Sequence, residues 1–198
     1  MTPELRALAD RFIYEQATIK HIIASIPDEA LARKCEGFDG TVGELLGHLG
    51  WSLGDHAEVV RAWLADEALP ASIDPDREEG QDNTRFTNAT RPELSRDLGV
   101  GLVNLFAVLS AIPDERLDEQ LGEQHALESL GFLSEHCMYH AIALIDACPE
   151  VRMDPLVLNW LLHEDFADGP ELQWQQALLD EANAYIAARG DSMEEDDV

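Results

Sequence analysis

The sequence predicts an all-α protein, an antiparallel four-helix bundle followed by two additional C-terminal helices. Three observations carry that prediction. Apolar residues recur at alternating intervals of four and three through four long segments, the period of a helix with one buried face. Helix-start signals stand in front of most of these segments, and no segment shows a convincing run of strand-like alternation.

The first helix opens at Thr2-Pro3-Glu4, an N-cap, a proline in the first turn and an acid on the positive end of the dipole. Its stripe runs Leu5, Ala9, Phe12, Ile19, Ile23 and Ile26, interrupted by Gln16. Thr41-x-x-Glu44 is a capping box that starts the second helix, whose stripe is Leu46, Leu49, Leu53, Ala57, Val60 and Leu64. That helix also carries Gly43, Gly47, Gly50 and Gly54. Each costs about 1 kcal/mol relative to alanine in a helix, so the glycines predict a second backbone packed closely on that face.

An acidic stretch from Asp66 to Ala89 follows. It is long for a bundle connection and predicts a surface loop that touches something. Thr90-x-x-Glu93, with Pro92 in the first turn, opens the third helix (Leu94, Leu98, Leu102, Leu105, Leu109, Ile112). The fourth carries Leu130, Leu133, Cys137, Ala141, Leu144 and Cys148. Asp154-Pro155 and Gly169-Pro170-Glu171 open the two extra helices, Pro155–Phe166 and Pro170–Arg189, and Gly190 closes the last. The organisation read from this is a bundle over 1–150, a helical extension packed on it over 151–190, and an acidic mobile tail over 191–198. Leu156, Trp160, Leu161, Trp174 and Leu178 of the extension need an apolar surface to cover them, which makes a homodimer an expectation.

The chain also echoes itself. Ile26-Pro27-Asp28-Glu29-Ala30-Leu31 returns as Ile112-Pro113-Asp114-Glu115-Arg116-Leu117, and Glu44-Leu45-Leu46-Gly47-His48-Leu49 as Glu128-Ser129-Leu130-Gly131-Phe132-Leu133. Two similar helical hairpins related by an approximate two-fold would produce this pattern.

Forty acidic residues stand against 13 basic ones, a net charge of −27. Such a surface repels phosphate backbones and anionic bilayers, which argues against nucleic-acid and membrane partners. No uninterrupted apolar run reaches the roughly 18–20 residues of a membrane span. The N-terminus lacks the basic and apolar regions of a secretory signal. Three cysteines (Cys35, Cys137, Cys148) without C-x-x-C spacing suggest neither a disulfide framework nor a zinc ribbon. A cytoplasmic location is expected.

His136 and His140 lie four apart on the fourth helix, one turn apart on one face, where two imidazoles can reach the same ion. The helical wheel puts them at the edge of the stripe, facing a cleft open to solvent on one side. On the second helix His48 falls well off the centre of the stripe and His56 near its edge. Either can complete a three-ligand set, and the wheel alone favours His56. Cys137 belongs to the apolar stripe as a packed thiol. Gln16 is placed to hydrogen-bond near the site or to reach a backbone group, Trp51 and Tyr139 to line a pocket or simply to pack, and Asp146 to orient a ligand imidazole or to stand in solvent. His21, His125 and His163 have no supporting context.

Thr41-Val42-Gly43-Glu44-Leu45-Leu46-Gly47-His48-Leu49, followed by Arg61-Ala62-Trp63-Leu64, resembles helix two of the DinB-like bundles and the related mycothiol-dependent maleylpyruvate isomerases. The resemblance covers roughly residues 1–150. It implies three metal ligands, His48 from the His-Leu pair and His136 and His140 from the last bundle helix. They would hold a divalent ion, zinc or nickel, with water completing the shell. It further implies a metal-dependent hydrolase or a low-molecular-weight-thiol transferase, with metal-bound water or thiolate as the nucleophile and a small-molecule thiol or substrate as partner. His136 stands where the isomerases carry glutamate, and the C-terminal part does not match their second domain, so thiol-dependent isomerisation is not implied. The competing expectation is a metal-free helical scaffold that acts through dimerisation or partner binding.

Overall fold

The computed structural model describes residues 1–70 and 83–162. Four long helices pack together: α1 (Pro3–Ser25), α2 (Val42–Leu64), α3 (Arg91–Ala111) and α4 (Ala126–Ala147), followed by a short α5 (Pro155–Leu162). The start signals work as the residues dictate. The Thr2 hydroxyl accepts from the Leu5 N–H at 3.1 Å. At α2 the Glu44 N–H donates to the Thr41 hydroxyl and the Thr41 N–H donates to the Glu44 carboxylate, at 3.3 and 2.7 Å. Each bond satisfies a donor that the first turn otherwise leaves unpaired. At α3 the Thr90 N–H donates to Glu93 at 2.8 Å.

The internal echo has a structural counterpart. α1 and α3 stop at Ile26 and Ile112, each followed by a proline, whose ring disfavours helical geometry in the preceding residue. Both isoleucines turn inward, 1% and 3% exposed. A short 3₁₀ turn follows in each case, at Asp28–Ala32 and Asp114–Arg116. A brief antiparallel pairing comes next, the Lys34–Thr41 bridge in the first half and a two-residue ladder, β1 (Gln120–Leu121) with β2 (Gln124–His125), in the second. The ladder is too short to show as alternation in the sequence, and it interrupts an otherwise helical chain.

The expected backbone approach at the glycines of α2 is present at two of the four. A Cβ on Gly50 would sit 3.2 Å from the Leu98 backbone nitrogen of α3, and one on Gly43 3.2 Å from the Leu31 carbonyl. From the other side, a Cβ on Gly101 would sit 2.7 Å from the Gly50 carbonyl. At Gly47 the neighbour is a side chain, the Phe86 ring, and at Gly54 there is open space. Phe86 belongs to the connection after α2, in a short 3₁₀ turn over Asn83–Phe86. That connection therefore touches α2, as its length predicts. The Thr87 hydroxyl also donates to Glu44 at 2.5 Å. Residues 71–82 of the predicted loop lie outside the described residues.

With α3 on one face and α4 on another, α2 has fifteen of its 23 residues buried and forms the centre of the molecule. α3 is long and apolar enough to cross a membrane by length and composition, which the absence of an uninterrupted apolar run did not reveal. Its Leu94, Leu98, Leu102, Leu105 and Leu109 are buried within the bundle, as in the core helix of a globular protein. α5 folds onto α1. The Tyr14 hydroxyl donates to the Leu156 carbonyl at 3.1 Å, His21 meets Asp154 at 2.6 Å, and Val157 and Trp160 are 0% and 1% exposed. Trp160 thus finds its apolar cover within the chain and needs no second copy. The remainder of the first predicted extra helix, the whole of the second, His163 and the acidic tail lie outside the described residues.

Candidate metal centre

The packing of α4 against α2 brings His48, His136 and His140 together. One ring nitrogen from each lies within 4.8 Å of the other two. His48 Nε2 and His136 Nε2 are 2.9 Å apart, and the three ring centroids are separated by 5.1, 5.1 and 4.6 Å. Three imidazoles around one tetrahedral ion at about 2.0–2.1 Å would hold their nitrogens roughly 3.3 Å apart. The His48–His136 separation of 2.9 Å is close to that value, and the other two pairs lie within 4.8 Å. Among the described residues this is the one group of three or more metal-ligating side chains so placed.

The helical wheel placed the α4 histidines at a solvent-open edge, and the structure corrects this. His48, His136 and His140 are 3%, 7% and 5% exposed. His48 is interior because α2 is packed on several sides, so a position far from the centre of its leucine stripe is still inside the molecule. The α4 pair is covered by aromatic rings. Phe38 lies 5.8 Å from His48 and 5.5 Å from His140, Trp51 6.2 Å from His48, Phe132 6.3 Å from His136, and Tyr139 5.2 Å from His140.

Burial sets the protonation state. Removal from water pushes the pKa of His136 down to about 4, helped by the nearby His56, and that of His140 down to about 3, helped by His136 and His48. Both imidazoles are neutral at pH 7 and keep a lone pair for a ligand. His140 Nδ1 is buried with no hydrogen-bond partner, a deficit that costs about 1–3 kcal/mol and that an ion at this position can relieve. The all-imidazole donor set, the spacing and this orphaned nitrogen fit a divalent transition metal.

His56 stays outside the cluster, half-buried, with Nδ1 at 2.9 Å from the Ser52 carbonyl oxygen. Trp51 and Tyr139 stand beside the histidines, with ring centroids 6.2 Å from His48 and 5.2 Å from His140. Asp146 does not orient an imidazole; it is exposed and pairs with Arg152 at 3.1 Å. Cys137 is a packed thiol, 1% exposed, with its pKa driven strongly upward by burial. Gln16 reaches it, the side-chain amide donating to Sγ at 3.5 Å. His21 serves the α1–α5 junction, and His125 stands at the start of α4 near the Asp118 carbonyl.

Two parts of the site escaped the sequence reading. Phe132 occupies, in the internal echo, the place of His48, so the repeat itself marked the position. Phe38 sits in the loop after Gly37, whose φ of +84° suits glycine, and no pattern pointed to it. A separate buried polar group, also missed, lies between α1 and α4. Glu15, 1% exposed, accepts from Ser134 and, at 3.2 Å, from Arg11, while its Oε2 has no partner.

Comparison of the chain with protein-family models, with curated proteins and with solved structures finds no match. The fold and the buried three-histidine cluster therefore stand on their own geometry.

Proposed function

We propose that this is a divalent-metal-binding protein of the DinB-like type, built on an antiparallel four-helix bundle. In this reading it acts as a metal-dependent hydrolase or low-molecular-weight-thiol transferase. The observation that carries the proposal is the convergence of His48, His136 and His140, three buried imidazoles from two helices with their nitrogens within 4.8 Å. A zinc or nickel ion held there would supply Lewis acidity and lower the pKa of a coordinated water or thiol. Three protein donors leave a coordination position for that group. The residues of the chain do the rest: the helices fix the imidazoles, burial keeps His136 and His140 unprotonated, and the four aromatic rings limit the access of bulk water. The same proposal places the protein in the cytoplasm, where its three buried cysteines remain thiols. It keeps the homodimer, through Trp174 and Leu178 of the C-terminal sequence, and holds that nucleic acid and membranes are not partners of a chain with net charge −27.

The test is a panel of ester, amide and thiol-transfer substrates offered to protein loaded with zinc or nickel. Turnover that stops on chelation, returns on reloading and is absent from His140→Ala is the expected result. A folded, metal-loaded protein without turnover on either class would remove the catalytic part. A protein that takes up no metal would leave the helical scaffold.

A further inference from the structure

Met1, Phe132, Tyr139, Ile142 and Met153 are the large apolar side chains with high exposure among the described residues. Three of the five lie on α4. Phe132 and Tyr139 are seven residues apart, two helical turns, and so share one face. They also flank the histidines. Phe132 is 45% exposed with its ring 6.3 Å from that of His136, and Tyr139 is 66% exposed with its ring 5.2 Å from that of His140. The inner walls behave differently, since Phe38 and Trp51 are partly buried. The histidine cluster is thus enclosed on the bundle side and bordered toward solvent by two aromatic faces.

We propose that Phe132 and Tyr139 form the specificity rim of the three-histidine site, and that the site takes a ligand with a metal-binding head and an apolar, aromatic body lying across these two rings. The inference rests on the metal reading above. The polar groups that would face an ion are the three imidazoles, with His56 close enough to act on His136. The faces left for the body of a ligand are carbon faces, and burying them against an aromatic ring removes apolar area from water on both partners. Ligands that carry a negative charge away from the head gain nothing at such a rim and meet the repulsion of a strongly acidic surface.

Two hydroxamates test the proposal, because they share a chelating head and differ in the body. Binding of acetohydroxamate and benzohydroxamate to cobalt-loaded protein is followed by the visible absorption of the cobalt, with metal content measured in parallel. Benzohydroxamate is expected to bind at least tenfold tighter than acetohydroxamate to the wild type. In Phe132→Ala/Tyr139→Ala the ratio of the two affinities, each referred to the metal-loaded fraction measured in parallel, should fall to within about threefold. Equal affinity of the wild type for both compounds, or a preference that survives in the variant, overturns the rim. If the stripe instead joins two copies of the chain, the wild type shows no preference and sediments as a dimer that the variant separates, which also overturns it. Failure of cobalt to bind removes the metal reading, and the rim with it.

Discussion

Zinc or nickel added to the metal-free protein is expected to raise its melting temperature, and His136→Ala/His140→Ala is expected to abolish the effect. An ion that binds only the folded state at a free concentration 100 times its Kd contributes about 2.7 kcal/mol. For a chain of this size that is roughly 5–11 °C. The effect should be large because the folded protein has already brought together what the ion needs. His48 and His136 approach to 2.9 Å, His140 carries a buried nitrogen without a partner, and His136 and His140 are neutral at pH 7. The unfolded chain holds the three imidazoles apart and binds far more weakly. Differential scanning calorimetry of both proteins with and without metal measures the effect directly. An equal rise in the double variant would place the ion elsewhere.

Glu15→Gln is expected to change the pH dependence of stability by about 3 kcal/mol. Burial pushes the Glu15 carboxyl up to about 7 from 4.5, outweighing the bonds from Ser134 and Arg11 that favour its ionised form. Below pH 4.5 the group is protonated in folded and unfolded chains alike, and its contribution is intact. As pH rises through 7 the unfolded chain has already ionised while the folded chain resists, so stability is lost over that interval, about 3 kcal/mol in all. The histidines act in the opposite direction. His136 and His140 titrate near 4 and 3 when folded, against an ordinary value of about 6.5. Their contribution is present above 6.5 and is lost on acidification. The two effects overlap in one window, so the wild-type profile alone will be shallow, and the difference between wild type and Glu15→Gln isolates the carboxyl. Urea unfolding of both metal-free proteins at pH 4.5, 6 and 8 should show the variant gaining relative stability at each step. Parallel curves would mean that Glu15 is already solvated in the folded state.

Much of the helical framework was legible from local chemistry. The caps at Thr2 and Thr41 and the stops at Ile26 and Ile112 depend on neighbouring residues alone, so short sequence windows contain the needed information. The histidine pair at 136 and 140 was legible for the same reason, since its geometry is set within one helical turn. What the wheel misjudged was burial. Whether His48 faces solvent depends on how many neighbours α2 acquires, and that is decided by residues far away, Leu98 against Gly50 and Phe86 against Gly47. The choice between His48 and His56 is of the same kind. Residue patterns on one helix left both open, and only the resemblance and the packing of α4 favour His48. Glu15 was invisible for another reason, because an acid on a helix is ordinarily solvated, and only the position of Ser134 on α4 reveals it as interior.

The central claim is that His48, His136 and His140 hold a divalent ion, and its most direct measure is metal content by mass spectrometry. Untagged protein would be equilibrated with zinc or nickel, freed of excess by gel filtration and compared with His136→Ala/His140→Ala treated in parallel. The account predicts about one equivalent per chain in the wild type, as three converging imidazoles require, and essentially none in the variant. No bound metal in the wild type, or the same amount in both proteins, would contradict it.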